Sequence, residues 1–394
     1  MSLEKDALNL HEKLRGKMEI RSKVKIDQNS LRLAYTPGVA EPCKEINRNP
    51  DLVCKYTNVC NTVAVISDGS AVLGLGNIGA HAGLPVMEGK CILFKEFADI
   101  DAYPIILSTQ DPEKIIDAIK VISPSFSGIN LEDFSAPRCF EIEDALQDIG
   151  IPVFHDDQHG TAIVVLAALL NSAKVLKKEL SELKICVSGA GPAGTAVSKL
   201  LTCFGLNKKI CSPVNDLIVV DSKGIISRDR EDLEEYKKEL SRITNKENRK
   251  GGLKEAIEGA DVFIGLSRAG IVSDEMIKSM NKDAIVFSMA NPTPEIMPDL
   301  AKKAGAKIIG TGRSDFPNQI NNVLGYPGIF RGALDARATK INVEMKLAAA
   351  YALAECVKAP TLNKVIPNPF EKEVVKAISA AVKKEAIKTG VAQN

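Results

Sequence analysis

The stretch "LKICVSGAGPAGTAVSKLL", residues 183–201, restricts the fold more than any other. A short apolar run, "LKICVSG", reads as a buried parallel strand. A glycine turn follows, "GAGPAG", made of Gly189, Ala190, Gly191, Pro192, Ala193 and Gly194. Then comes a helical pattern without a breaker for about ten residues, with proline in its first turn. A second strand, "DLIVVD", ends in Asp221. Strand, glycine turn, helix, strand and acid together form the dinucleotide fingerprint. The helix start offers free N–H groups to a pyrophosphate, and Asp221 is placed to accept from a ribose 2′-hydroxyl. That acid favours NAD, whereas Lys223, Arg228 and Arg230 just beyond it could pair with a 2′-phosphate; the cofactor is read as NAD or NADP. The strand–helix rhythm continues through "ADVFIGLS", "DAIVFSMANP" and "AKIIGTG", which predicts a doubly wound parallel sheet.

A second set of glycines at the same spacing, Gly74, Gly76 and Gly79, lies in "VLGLGNIGAHAGLPVMEGK", residues 72–90. A strand precedes it, but Gly83 and Pro85 fall where the helix would run. We read it as a close-packed turn that brings backbone to the active site from the other side. Lys90 is then placed at the entry of a strand, "KCILFKEF".

A chain of 394 residues exceeds what one core usually holds, so at least two domains are expected. The boundaries are set at 1–160 for an N-terminal α/β catalytic domain, 161–330 for the Rossmann-like domain, and 331–394 for C-terminal helices that pack back on the first domain. With 51 basic against 50 acidic residues there is no field of one sign, which argues against nucleic-acid and anionic-membrane partners. The longest apolar run, "TAIVVLAALL", is half of what a bilayer requires and reads as a buried helix. Nine cysteines are scattered without a C-x-x-C pair, and are expected as reduced thiols. With a charged N-terminus lacking an apolar core, this points to the cytoplasm.

Two acidic clusters stand at strand ends: Glu132 and Asp133 in "NLEDFSAP", and Asp156 and Asp157 in "PVFHDDQHGTA". Four buried carboxylates would repel one another unless a divalent cation resolved the charge, and oxygen ligands suit Mg²⁺ or Mn²⁺. His155 and His159 flank the second pair as further ligands or as packing residues. Lys90 is a candidate base if burial lowers its pKa. Tyr35, in "AYTPGVAEPC", is a candidate proton donor.

Taken in order, "YTPGVAEPC", "VLGLGNIGAHAGLPVMEGKCILFK", "NLEDFSAPRCFEIE", "PVFHDDQHGTAIV", "GAGPAG", "SMANPTPE" and "NNVLGYPGIFRGALDARA" resemble the malic enzymes in their shorter, bacterial-type form. The resemblance spans residues 10–390. It implies metal-dependent oxidative decarboxylation of L-malate to pyruvate and CO₂ with reduction of NAD(P). It implies a cation on Glu132, Asp133 and Asp157, Lys90 as base, Tyr35 as acid and Asp156 as partner of the lysine. Asn291 and the Asn321–Asn322 pair match asparagines beside substrate and nicotinamide, and a homodimer is implied. The longer form has an arginine for a malate carboxylate where this chain has Ala71, so Arg15, Arg21, Arg32 or another subunit is expected to serve. A malolactic reaction, retaining the cofactor and releasing lactate, is the alternative chemistry; a non-catalytic NAD(P) sensor is the alternative class.

Overall fold

The computed structural model describes residues 3–72, 74–206 and 210–393. Its first sheet holds four parallel strands in the order β2-β1-β3-β4: β1 Thr62–Ser67, β2 Asp101–Ile106, β3 Ile129–Leu131 and β4 Val153–His155. All residues of β1, β3 and β4 are buried, as expected of strands covered on both faces. The second sheet has the order β10-β9-β8-β5-β6-β7: β5 Lys184–Ser188, β6 Asp216–Asp221, β7 Gly224–Ile225, β8 Val262–Gly265, β9 Ile285–Ser288 and β10 Ile308–Thr311. Only β7 runs antiparallel. β5 lies between β6 and β8, so the chain reverses direction across the sheet there, and ligands bind beyond the strand ends at such a point.

The helix Asp156–Leu176 leaves the first sheet at β4 and leads toward β5. It is long and apolar enough to cross a membrane by composition. Here, however, it packs against the Pro192–Leu201 and Val343–Glu355 helices, with Ile163 through Leu169 all buried. The C-terminal helices Tyr326–Asp335 and Val343–Glu355 both pack on Glu373–Lys388, and Tyr326–Asp335 also packs on the helix Ala80–Ala98 of the first half.

That last helix overturns one expectation. Residues 80–98 form one helix with Pro85 inside it, and Lys90 lies on the helix rather than at a strand entry. Proline removes one hydrogen bond and crowds the preceding turn. Against that cost, Met87, Cys91, Phe94 and Ala98 follow one another at helical spacing and are all buried. Phe94 meets the rings of Tyr326 and Phe330 edge-on, at 4.7 and 5.2 Å between centroids. Burial of this stripe outweighs the local propensity.

One other reading changes. Cys54 is bonded to Cys60 and Cys203 to Cys211, so four of the nine cysteines are not free thiols. Both pairs close short loops that bring the Cα atoms to 5.2 and 5.8 Å, within disulfide reach, which a search for C-x-x-C pairs does not detect. The N-terminal helices Leu3–Leu14, Gln28–Ala34 and Ala40–Arg48 have no buried residue, although they carry Leu8, Leu10, Leu31 and Leu33.

Candidate active site

The acidic residues sit where parallel strands end. Glu132 and Asp133 follow β3, and Asp156 and Asp157 follow β4. Since β3 and β4 are hydrogen-bonded neighbours in register Leu131↔His155, the two pairs are set side by side. The Asp133 N–H donates to Asp157 Oδ2 at 2.8 Å. One oxygen each from Glu132, Asp133 and Asp157 lies within 4.8 Å of the others. The donor set is all oxygen and the charges are alike, a combination that suits a hard divalent cation.

Lys90 reaches the same point from the Ala80–Ala98 helix. Its Nζ lies 2.5 Å from Asp156 Oδ2, 2.8 Å from Glu132 Oε1 and 4.2 Å from the centre of the Tyr326 ring. Gly160 makes room for this arrangement, because a Cβ there would fall 1.9 Å from Asp156 Oδ1. Burial drives the Glu132 carboxyl up to about 7, although Lys90 pulls it down; Asp156 rises to about 6 for the same reasons, and neighbouring Glu132 adds to the rise. Asp157 is likewise pushed up to about 6 by burial. Lys90 departs from the neutral base expected from burial. Burial does lower its pKa, but Asp156 and Glu132 outweigh that and hold it well above its ordinary value.

The second glycine loop presents a cradle. Gly189 adopts φ +114° and has Leu266 O 2.5 Å from where a Cβ would be. A Cβ on Gly194 would strike Gly189 O at 1.8 Å, so the helix starts tight against the turn. At Gly191 nothing lies within 4 Å of that position. Pro192 begins the helix Pro192–Leu201, Ala193 follows it in the first turn, and Ala190 before it is buried. The open space is where a pyrophosphate would meet free N–H groups.

Family models for the malic enzyme N-terminal domain and the malic enzyme NAD binding domain match residues 15–147 and 158–388. The chain belongs to the malic enzyme family. It is 53% identical to a bifunctional malic/malolactic enzyme of Bacillus subtilis, over 100% of this chain and 95% of that one. It is 52% identical to an NAD-dependent malic enzyme of Geobacillus stearothermophilus, over 96% of this chain and 78% of that one. The crystal structure of a malic enzyme from Pyrococcus horikoshii superposes with a TM-score of 0.93 at 49% identity, covering 100% of this chain and 92% of that one.

The other candidate residues of this malic enzyme have varied surroundings. Tyr35 is 67% exposed, and the tyrosine over Lys90 is Tyr326, fully buried and missed in the sequence. Asp221 ends β6, but Arg230 grips both its oxygens at 2.8 and 3.2 Å and Lys237 approaches at 3.3 Å. A ribose hydroxyl would therefore share Asp221 with two cations. Lys223 pairs instead with Asp232, and Arg228 donates to backbone carbonyls. Asn291 lies at the domain junction, its backbone O beside Gly74 and its amide beside Gly312. Asn321 uses its side chain to cap Val323 and to reach Gly312 O, whereas Asn322 packs beside Gly160, near Asp156. Arg21 is an exposed partner of Glu19. The arginine beside Ala71 is Arg138, which donates to Asp68 and to Ser135, both at 3.0 Å. Ala71 N–H and Ser70 Oγ both donate to Asp133 O, which ties that loop to the acidic cluster.

Proposed function

We propose that this malic enzyme oxidises L-malate at C2 and decarboxylates it to pyruvate and CO₂, reducing NAD(P). The observation that carries the reading is Lys90 at 2.5 Å from Asp156, beside three carboxylates with converging oxygens. Glu132, Asp133 and Asp157 would hold Mg²⁺ or Mn²⁺. When bound, the ion supplies a Lewis acid at the C2 oxygen and the dinucleotide supplies the hydride acceptor. Lys90 Nζ handles the hydroxyl proton. To accept it, Lys90 must first give up its own proton, for which Asp156 Oδ2 is the acceptor within reach at 2.5 Å. Once CO₂ has left, the same Nζ can lend that proton to the enolate oxygen and takes it back as C3 is protonated, so the ketone of pyruvate leaves without it. Tyr326 closes the back of the site with an apolar ring that excludes water from Nζ. Gly191 leaves the pyrophosphate its space.

Tyr35 belongs in this scheme as the acid for C3, and its exposure supports a homodimer. The apolar residues of the N-terminal helices are uncovered, and a second copy seated on them would bring Tyr35 to its neighbour's Lys90. The need for NAD(P) pools supports a cytoplasmic setting.

Absorbance at 340 nm with L-malate and Mn²⁺, run with NAD and with NADP, tests the reading. Growth abolished by EDTA, with pyruvate in the tube, is the expected result. The Bacillus subtilis relative is named for both malic and malolactic activity, which favours a second reading. Lactate without absorbance growth would replace the first reading with it.

A further inference from the structure

The turn that carries Asp156 and Asp157 is held from behind by one carboxylate outside the site. Glu143 lies on the helix Arg138–Ala145 and is buried. Its Oε1 accepts the His155 N–H at 3.4 Å and faces His159 Nε2 at 2.8 Å; its Oε2 accepts the Gln158 amide at 2.8 Å. These three donors span residues 155–159 and bracket the acidic pair on both sides. Along the helix, Asp156, Asp157 and Gly160 face the acidic cluster. Gln158, His159 and Ala162 face the other way and, with Glu143, line a cavity of about 380 Å³. Glu143 therefore holds the β4–helix junction through one backbone N–H and two side chains. Its charge is kept well defined: burial alone would raise its pKa, but His159, Lys346 and His155 bring it to about 2.

We propose that Glu143 is a positioning residue for the metal-binding acid pair: it clamps the turn so that Asp157 is aimed at the cation and Asp156 at Lys90. This rests on the metal reading of Glu132, Asp133 and Asp157. Three charge-assisted bonds to one buried acceptor fix the turn more firmly than the helix start can, since the first N–H groups of a helix lack intrahelical partners. Groups behind a ligand typically account for about 10- to 100-fold in metal affinity or activity.

The test is Glu143→Gln, which keeps the shape but removes the charge and one acceptor. Free Mn²⁺ measured by electron paramagnetic resonance should show affinity about 10-fold weaker, with NAD(P) binding by calorimetry within about twofold of the parent. Malate turnover should fall in kcat even at saturating Mn²⁺, because Asp156 is no longer aimed. A folded Glu143→Gln with parental Mn²⁺ affinity and kcat overturns the proposal, as does a parallel loss of NAD(P) binding, which would mark general unfolding. Gln158→Met removes one donor and leaves the carboxylate. It should weaken Mn²⁺ binding about threefold, and an unchanged value overturns the proposal even if Glu143→Gln fails to fold. Separately, Asp157→Asn should abolish tight Mn²⁺ binding. If it does not, the metal reading fails and not merely the clamp.

Discussion

Two glycine loops with one spacing do different work, and the difference lies in backbone conformation. Each follows a parallel strand and opens a helix: Gly79 precedes Ala80–Ala98, and Gly191 precedes Pro192–Leu201. The first loop needs glycine for its conformation: Gly74, Gly76 and Gly79 stand at φ +74°, +76° and +78°. A Cβ on Gly69 would lie 2.3 Å from Gly79 O, and one on Gly74 would lie 2.3 Å from Asn291 O, across to the loop after β9, whereas the positions at Gly76 and Gly79 are open. The second loop is tight at Gly189 and Gly194 but open at Gly191. Spacing alone therefore identifies a sharp turn; what sets the second loop apart is Gly191 at φ −81°, opening a helix whose Gly194 packs tight against the turn. What the first loop delivers is Lys90, on the third turn of its helix.

The largest expected effect tests that delivery. Lys90→Ala should lower kcat by about 10³-fold or more, since it removes the proton carrier, while NAD(P) affinity, set by the other loop, stays within about twofold. Loss of cofactor binding in that variant would mean the loops are not separate in function. The converse change is Gly191→Val. Gly191 has φ −81°, which valine tolerates, so the fold should hold while the side chain fills the cradle. NAD(P) binding should weaken about 100-fold with the melting temperature nearly unchanged; a mild binding defect would relocate the pyrophosphate.

A mixing experiment asks whether the first loop's lysine and Tyr35 meet across two copies. Tyr35→Phe and Lys90→Ala should each be nearly inactive. Random exchange in a dimer makes half the dimers mixed, each with one intact site if Tyr35 works in trans, so about a quarter of the parental activity should return. No recovery on verified exchange would put both residues in one protomer's site.

The two loops were also unequally legible. The Rossmann half is written locally: apolar strands, a glycine turn and an uninterrupted helix lie within forty residues of one another, so β5, its helix and β6 follow from pattern alone. Ala80–Ala98 is not, because Gly83, Pro85 and Gly89 lower its local helix propensity and its support comes from distant Tyr326 and Phe330. Lys90 was visible as a residue type but not as a helix residue, nor as a cation between two acids 42 and 66 positions away. Glu143 was invisible for the same reason: nothing near it in sequence distinguishes a buried clamp from a solvated helix face. Asp221 was placed at the right strand end, yet its occupation by Arg230 and Lys237 depends on a loop whose path the sequence does not specify.

Gly74→Ala sharpens the contrast at moderate size. Alanine at φ +74°, with Asn291 O in the way, should cost about 2 kcal/mol and lower the melting temperature, with kcat falling because the contact to Asn291 shifts. Cofactor affinity should change less than in Gly191→Val. A Gly74→Ala protein of parental stability would mean the first loop is loosely packed after all.

The smallest effect concerns the carboxylates gathered around Lys90, which the first loop's helix delivers. Glu132, Asp156 and Asp157 have folded pKa values of about 7, 6 and 6, above the 4.5 and 3.8 of free carboxyls. The folded state therefore binds more protons than the unfolded chain between pH 4 and 7, and their contribution to stability is lost as pH rises through that range. His155 acts in the opposite sense: burial lowers it to about 4 from 6.5, so it adds stability as pH climbs toward 6.5. Above pH 6.5 that term is complete and Glu132 is left titrating. Protein treated with EDTA should thus melt on the order of 1 °C lower at pH 8 than at pH 6.5, the change being under about 1 kcal/mol. Mn²⁺ should abolish or reverse the slope, because a cation on these oxygens favours their ionised form. The same slope with and without Mn²⁺ would mean that the charge responsible lies elsewhere, and the acid cluster would lose its strongest electrostatic support as a metal site.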